Sequence, residues 1–220
     1  MTDLVGAVLA FLLFHAVAAL RPLRVRLVSA LGETACVTAF SLVSLALVIW
    51  IGFAFTAAPY IELWPYHPGL RWIPLSLMPF ACVLIVAGLS SPNPFSLGAG
   101  ARRFDPVRPG IVAVTRHPAI WGLTLWSVAH IPVNGDLAAL IVFGLLTLLG
   151  LAGPVSLDAE RRRSLGADAW AELARRTAAT PASAALVQTG WLRILAGLSL
   201  YGALLVLHGP VIGVSPLPVP

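Results

Sequence analysis

Histidines are the residues best equipped for chemistry in this chain, and four of the five, His15, His117, His130 and His208, stand in or beside apolar runs. An ionisable side chain in a membrane-buried helix is costly and marks a functional position by default. Neutral imidazole is a good ligand for haem iron, so two histidines facing each other across helices would point to a metal or a haem. The fifth, His67, lies in a loop between Tyr66 and Pro68 and is expected to be solvated. No closely spaced Cys/His set suggests zinc. Cys36 and Cys82 each stand alone in an apolar run and read as small core hydrophobes.

Two of these histidines bracket one helix within the stretch Gly110 to Asp136. Thirteen residues separate His117 from His130, a helical rise of about 20 Å with the side chains turned about 140° apart, so they cannot share one iron. Any pair must join different helices. Depth favours His15 with His117 on one side and His130 with His208 on the other. Arg116-His117-Pro118 adds a separate station. Pro118 suits the first turn of a helix, where its missing N–H costs nothing. Arg116 then stands beside a positive helix N-terminus, suited to a nucleotide-like cofactor, a haem propionate or a lipid phosphate. The plainer alternative is an anchor to lipid headgroups.

The elements that must position these residues are membrane helices. Of 220 residues, 59% are hydrophobic and 10% charged, against about a quarter charged in soluble domains. A span needs about 20 apolar residues, and six runs qualify: 4–20, 34–57, 72–90, 118–132, 137–157 and 190–212. The short link between the fourth and fifth, ending in Asn134-Gly135-Asp136, makes them an antiparallel hairpin. The expected fold is an all-α, polytopic integral membrane helical bundle forming one domain over 1–220. Residues 4–14 resemble a signal-peptide core, but Asp3 replaces the positive leader and arginines follow, so the run reads as a retained first helix.

The net charge is +5, and all fourteen positive side chains are arginine. With the N-terminus outside, thirteen of the fourteen arginines fall on the inner side and only Arg71 lies outside. That bias predicts a multi-pass membrane protein with both termini on the outer side. Short clusters between apolar runs are not a nucleic-acid footprint; the lipid bilayer is the expected partner. The loop 91–109, rich in proline and glycine, cannot be regular. Residues 158–176 place Leu165, Trp170 and Leu173 on an apolar stripe, as in an amphipathic helix lying on the inner surface. Glu160 and Glu172 there are expected to pair with nearby arginines. Small residues Gly6, Ala10, Gly144, Gly150 and Gly197 would permit close helix packing. The tail 213–220 is expected to be irregular.

Together these pieces resemble the NnrU family of bacterial membrane proteins, which is related to plant 15-cis-zeta-carotene isomerase. The resemblance is carried by His15 with Arg21-Pro22-Leu23-Arg24, by Gly32-Glu33, and by Ser91-Pro92-Asn93-Pro94. It continues through Gly110 to His130, Asn134-Gly135-Asp136, the segment from Asp158 to Arg176, and His208 followed by Gly213-Val214-Ser215-Pro216. It implies a role in denitrification, in the handling of nitrite and nitric oxide, as an enzyme or as a redox or nitric-oxide sensor. The related isomerase binds haem b and uses histidine-ligated, redox-switched iron to isomerise a cis double bond in an apolar polyene. By motif its ligands fall on His15 and His130, with His117 and His208 as alternatives from depth. Arg116 to Gly122 also resembles the cofactor-binding stretch of isoprenylcysteine carboxyl methyltransferases and some sterol reductases. That implies S-adenosylmethionine or NADPH at Arg116 and His117, with Glu160 as the downstream acidic partner. A non-catalytic assembly factor with structural histidines is the fourth reading.

Overall fold

In a computed structural model, residues 1–18, 20–98 and 100–218 are described, with every side chain but that of Arg21. Residue 19 of the expected first span, residue 99 of the expected loop and the last two residues of the tail lie outside the described residues. The regular elements of the described residues are all helical, with one isolated antiparallel bridge between Glu62 and Asp136. The helices are α1 Thr2–Ala18, α2 Arg21–Leu31, α3 Glu33–Thr56, α4 Trp72–Ser90, α5 Ile111–Val114, α6 Pro118–Asn134, α7 Leu137–Leu165, α8 Ala167–Ala178, α9 Ala182–Thr189 and α10 Trp191–Ile212. Short 3-10 turns cover Pro68–Arg71 and Ala101–Arg103.

Among the described residues, four helical stretches are long and apolar enough to cross a bilayer: Glu33–Thr56, Pro68–Ser90, Leu137–Leu165 and Trp191–Ile212. Most of their large apolar side chains face outward, as lipid-bathed helices require. Helices α1 and α6 have 17 residues each, a rise of about 25 Å against a hydrocarbon thickness of about 30 Å. They are the two shortest of the six expected spans.

The chain forms two units, Met1–Trp64 with Asp136–Val142, and Pro65–Gly135 with Phe143–Pro220. In the first, α1 packs on α3. Phe14 stacks on Phe40 at 5.3 Å between ring centroids, and α1 buries Leu4, Ala7, Val8 and Phe11 at helical spacing. Residues 21–31, expected as part of the loop between the first two spans, form the helix α2, with Pro22 in its first turn. Asp136 caps α7 by accepting from the Ala139 amide at 3.0 Å.

In the second unit, α6 and α7 run antiparallel, as expected for the hairpin. Contacts mirror about the turn: His130 against Phe143, Ser127 hydrogen-bonded to Thr147 at 3.0 Å, Ile120 beside Gly153, and Arg116 on Asp158. Gly135, at φ +68°, makes the left-handed C-cap of α6. Helix α4 packs on both α6 and α10 with backbones in near contact. A Cβ on Gly88 would lie 2.5 Å from the Ala119 nitrogen, and one on Gly197 would lie 2.6 Å from the Val83 Cα. Of the small residues singled out in the sequence, Gly150 and Gly197 therefore serve close packing. Gly6 does not: a Cβ there would meet nothing within 4 Å. Gly88 and Gly122 do so unannounced.

Pro79 interrupts the hydrogen-bond ladder of α4, because it has no N–H to offer the Leu75 carbonyl. The Tyr201 hydroxyl of α10 donates to that carbonyl at 3.2 Å, satisfying it in a setting where water cannot. Tyr201→Phe removes the donor and leaves the ring. It is expected to cost about 1 kcal/mol, read as a lowered melting temperature in detergent.

Two members of the stripe expected to face lipid, Trp170 and Leu173, pack on protein instead, while Leu165 stays exposed. Helix α7 continues through Leu165, Gly166 at φ +87° breaks it, and α8 follows. Trp170 joins Phe95, Ala87, Ile111 and Val112 in a buried cluster, with Leu173, Ala174 and Phe104 against it. The loop 91–109 supplies Phe95 and Phe104 as the partner surface, which makes α8 a lid on the core of this unit. On the solvent side, Glu172 accepts from Arg175 at 2.8 Å and from Arg176 at 2.6 Å. Those two guanidiniums hold its carboxyl below the usual range.

Candidate functional site

The C-terminal ends of α4 and the apolar part of α7 gather with the N-terminal ends of α6 and α10 on one arginine-rich face of the second unit. Arg193 of α10 donates to the Ser90 hydroxyl at 3.2 Å. Asn93, 1% exposed, organises the loop after α4. Its Oδ1 accepts from the amides of Phe95 at 2.8 Å and Ser96 at 3.2 Å, and its Nδ2 donates to the Arg116 carbonyl at 2.9 Å. The turn is thereby tied to the start of α6, where His117 is the N-cap and Pro118 the first residue.

Three charged or titratable side chains meet there. Asp158 of α7 accepts from Arg116 Nη2 at 2.7 Å and from His117 Nε2 at 3.1 Å. Arg116 lies over the Trp170 ring at 5.4 Å, and Arg162 over the same ring at 4.1 Å, placing two cations on one aromatic. The sequence suggested an anion at Arg116 beside the helix N-terminus. Asp158 supplies one from within the chain.

His117 is 3% exposed, and its Nδ1 is buried without a hydrogen-bond partner. A charged imidazolium would bury an unpaired N–H donor at Nδ1. The neutral form with its proton on Nε2 leaves only a lone pair there and still donates to Asp158. Burial accordingly pushes the His117 pKa below its ordinary 6.5, outweighing the upward pull of Asp158. Because the folded value is depressed, the unfolded chain takes up this proton first as pH falls. Stability from this group is therefore complete above the ordinary value and is lost as pH drops through it toward the folded value. Melts in detergent at pH 7.5 and 5.5 are expected to show this loss in the native chain and a smaller one in His117→Gln.

The other three histidines share a different geometry. His15 Nδ1 lies 2.8 Å from the Phe11 carbonyl, His130 Nδ1 2.7 Å from the Trp126 carbonyl, and His208 Nδ1 2.7 Å from the Val214 carbonyl. A carbonyl can only accept, so each Nδ1 carries the proton and each Nε2 presents a lone pair. His15 Nε2 has the Ser44 hydroxyl at 3.5 Å. In the first unit, His15 sits among Phe11, Phe14 and Phe40, with ring centroids 4.0 to 5.5 Å away. In the second unit, His130 sits between Trp126 at 5.7 Å and Phe143 at 5.3 Å. His130 and His208 are close enough for their charges to interact. His67 accepts from the Gly69 amide at 3.1 Å in an exposed turn, a local capping role.

The structure thus brings Arg116 and His117 together with Asp158, a residue the sequence reading passed over in favour of Glu160. It keeps His130 at a separate station and places His15 in the other unit. Among the described residues, no three His, Cys, Asp or Glu side chains come together as a metal set.

The family model described as "NnrU protein" matches residues 3–216. No curated protein and no solved structure gives a match. A match over nearly the whole chain, on a bundle of long apolar helices, makes this an integral membrane protein that belongs to the NnrU family.

Proposed function

We propose that this protein binds haem b through histidine Nε2 atoms and works in nitrite and nitric-oxide metabolism. The observation that carries the reading is the tautomer shared by His15 and His130. Metal-bound histidines characteristically donate the other ring N–H to a carbonyl or carboxylate, which fixes the ring and raises the basicity of the ligating nitrogen. Both have that carbonyl one helical turn back, and both have aromatic neighbours of the kind a macrocycle packs against. His15 and His130 are the first ligands, and His208 has the same arrangement. His117 fits less well, because its Nε2 is engaged by Asp158 and its Nδ1 is buried. The nitrogen-oxide role rests on the family. Bound haem iron would supply a one-electron redox centre. A methyltransferase or reductase cofactor at Arg116 and His117 is less favoured, since Asp158 already engages both side chains.

The test is the absorption spectrum of protein purified in detergent after expression with ample iron. A Soret band that shifts on reduction is expected, and it should be lost in His15→Ala and in His130→Ala. Colourless protein from iron-replete cells sinks the reading. Loss only in His208→Ala or His117→Ala keeps the haem and replaces the ligands.

A further inference from the structure

Two cavities lie side by side at the N-terminal end of α10 and share Arg193. One, of about 150 Å³, is lined by Ser91, Arg103, Arg108, Gly110, Gln188 and Arg193, among others. The other, of about 380 Å³, is lined by Thr189, Gly190, Trp191, Leu192 and Arg193. The first is far larger than the 10–15 Å³ or so that one water needs.

Its charge is unbalanced. Arg103 and Arg108 are exposed and have no carboxylate or other side-chain partner among the described residues. Arg193 is held in place by neutral groups only, the Ser90 hydroxyl at 3.2 Å, the Thr189 carbonyl at 3.0 Å and the Ser90 carbonyl at 3.5 Å. The one acid on the lining is Asp105, whose Oδ1 is engaged by the Val107 amide at 2.9 Å. Three guanidiniums against one carboxylate leave a net positive pocket that fits a phosphate, which arginine forks bind well. The second cavity decides the kind of phosphate. It is mainly apolar, and Trp191 and Leu192 at its edge are 70% and 63% exposed, at the start of a helix long and apolar enough to cross a bilayer. An anionic head beside an apolar body is the outline of a lipid, and basic pockets at helix ends bind such headgroups.

We propose that this paired cavity is a binding site for an anionic phospholipid, its phosphate among Arg103, Arg108 and Arg193 and the base of its acyl chains along Trp191 and Leu192. The site is separate from the histidines and stands whether or not haem binds.

The experiment reconstitutes the full chain into phosphatidylcholine nanodiscs containing a few per cent phosphatidylglycerol, then counts retained lipids by native mass spectrometry. The native chain is expected to keep one phosphatidylglycerol. Arg103→Gln/Arg108→Gln should keep at least tenfold less, and because both side chains are exposed and unpaired the fold should be unchanged. Arg102→Gln, in the same 3-10 turn but off the lining, should retain lipid as the native chain does. Arg193→Lys keeps the charge and should retain most of it. Equal retention by the double variant overturns the proposal, as does a site that fills with inorganic phosphate while no phosphatidylglycerol is kept.

Discussion

Gly122→Leu is expected to destabilise the protein by about 3 kcal/mol or more, the upper end of what overpacking costs. A Cβ at residue 122 would lie 2.7 Å from the Ala81 carbonyl oxygen and 3.0 Å from the Ile85 nitrogen. These are backbone atoms of α4, which cannot turn aside as a flexible side chain would. The helices must separate, and the crossing they form buries Met78, Ala81 and Cys82 against Leu125 and Trp126. Membrane helices have little hydrophobic drive to associate, so loss of this close packing has few substitutes. Gly202 of α10 is the internal control. A Cβ there meets nothing within 4 Å, so Gly202→Ala should be neutral or stabilising by up to about 1 kcal/mol through helix propensity. Thermal melts of both variants in one detergent check the pair. Similar melting temperatures for the two would show that the α4–α6 contact is not tight.

Asp158→Ala is the second large expectation, at about 2 kcal/mol. Most of that cost belongs to His117. Its Nδ1 already lacks a partner, and removing Asp158 would leave its Nε2–H unpaired in the same buried position. Arg116 suffers less, because its side chain is 40% exposed and can turn to water. The two contributions separate in Asp158→Asn, which keeps an oxygen for the His117 donor but loses the charge. That variant should cost only about half as much. If Asn is as damaging as Ala, the charge pairing with Arg116 carries the site. The difference is readable in chemical denaturation or in melts of the purified protein.

Much of the architecture is legible from composition. The apolar run starting at Trp72 and ending at Ser90 coincides with α4, and the turn at Asn134-Gly135-Asp136 falls where α6 gives way to α7. Such limits are strong signals because charge and proline are expensive in hydrocarbon. The faces are harder to read. A helix of a soluble protein shows its buried side by periodicity, whereas α3 is apolar all round and buries only Ala54. For the same reason nothing in the sequence separated Gly88 and Gly122, which touch a neighbouring backbone, from Gly6, which does not.

The Gly110 to Asp136 stretch shows the same division at the site itself. Its residue types and spacing determined by themselves that His117 and His130 are separate stations, because helical rise and rotation depend only on chain position. They also placed Pro118 in the first turn of its helix. What fills the Arg116 station was decided by tertiary structure. Asp158 is 41 residues from His117 and looks in sequence like the first polar residue of a surface helix. Reflection of α7 across the α6–α7 turn brings it opposite, a pairing that turn geometry alone would have suggested. Trp170 and the loop around Asn93 reach the same place through contacts that no local pattern encodes. The tautomers of His15 and His130 depend on the carbonyl one turn back in each helix, a choice that the fold enforces by leaving Nδ1 no other partner than that carbonyl.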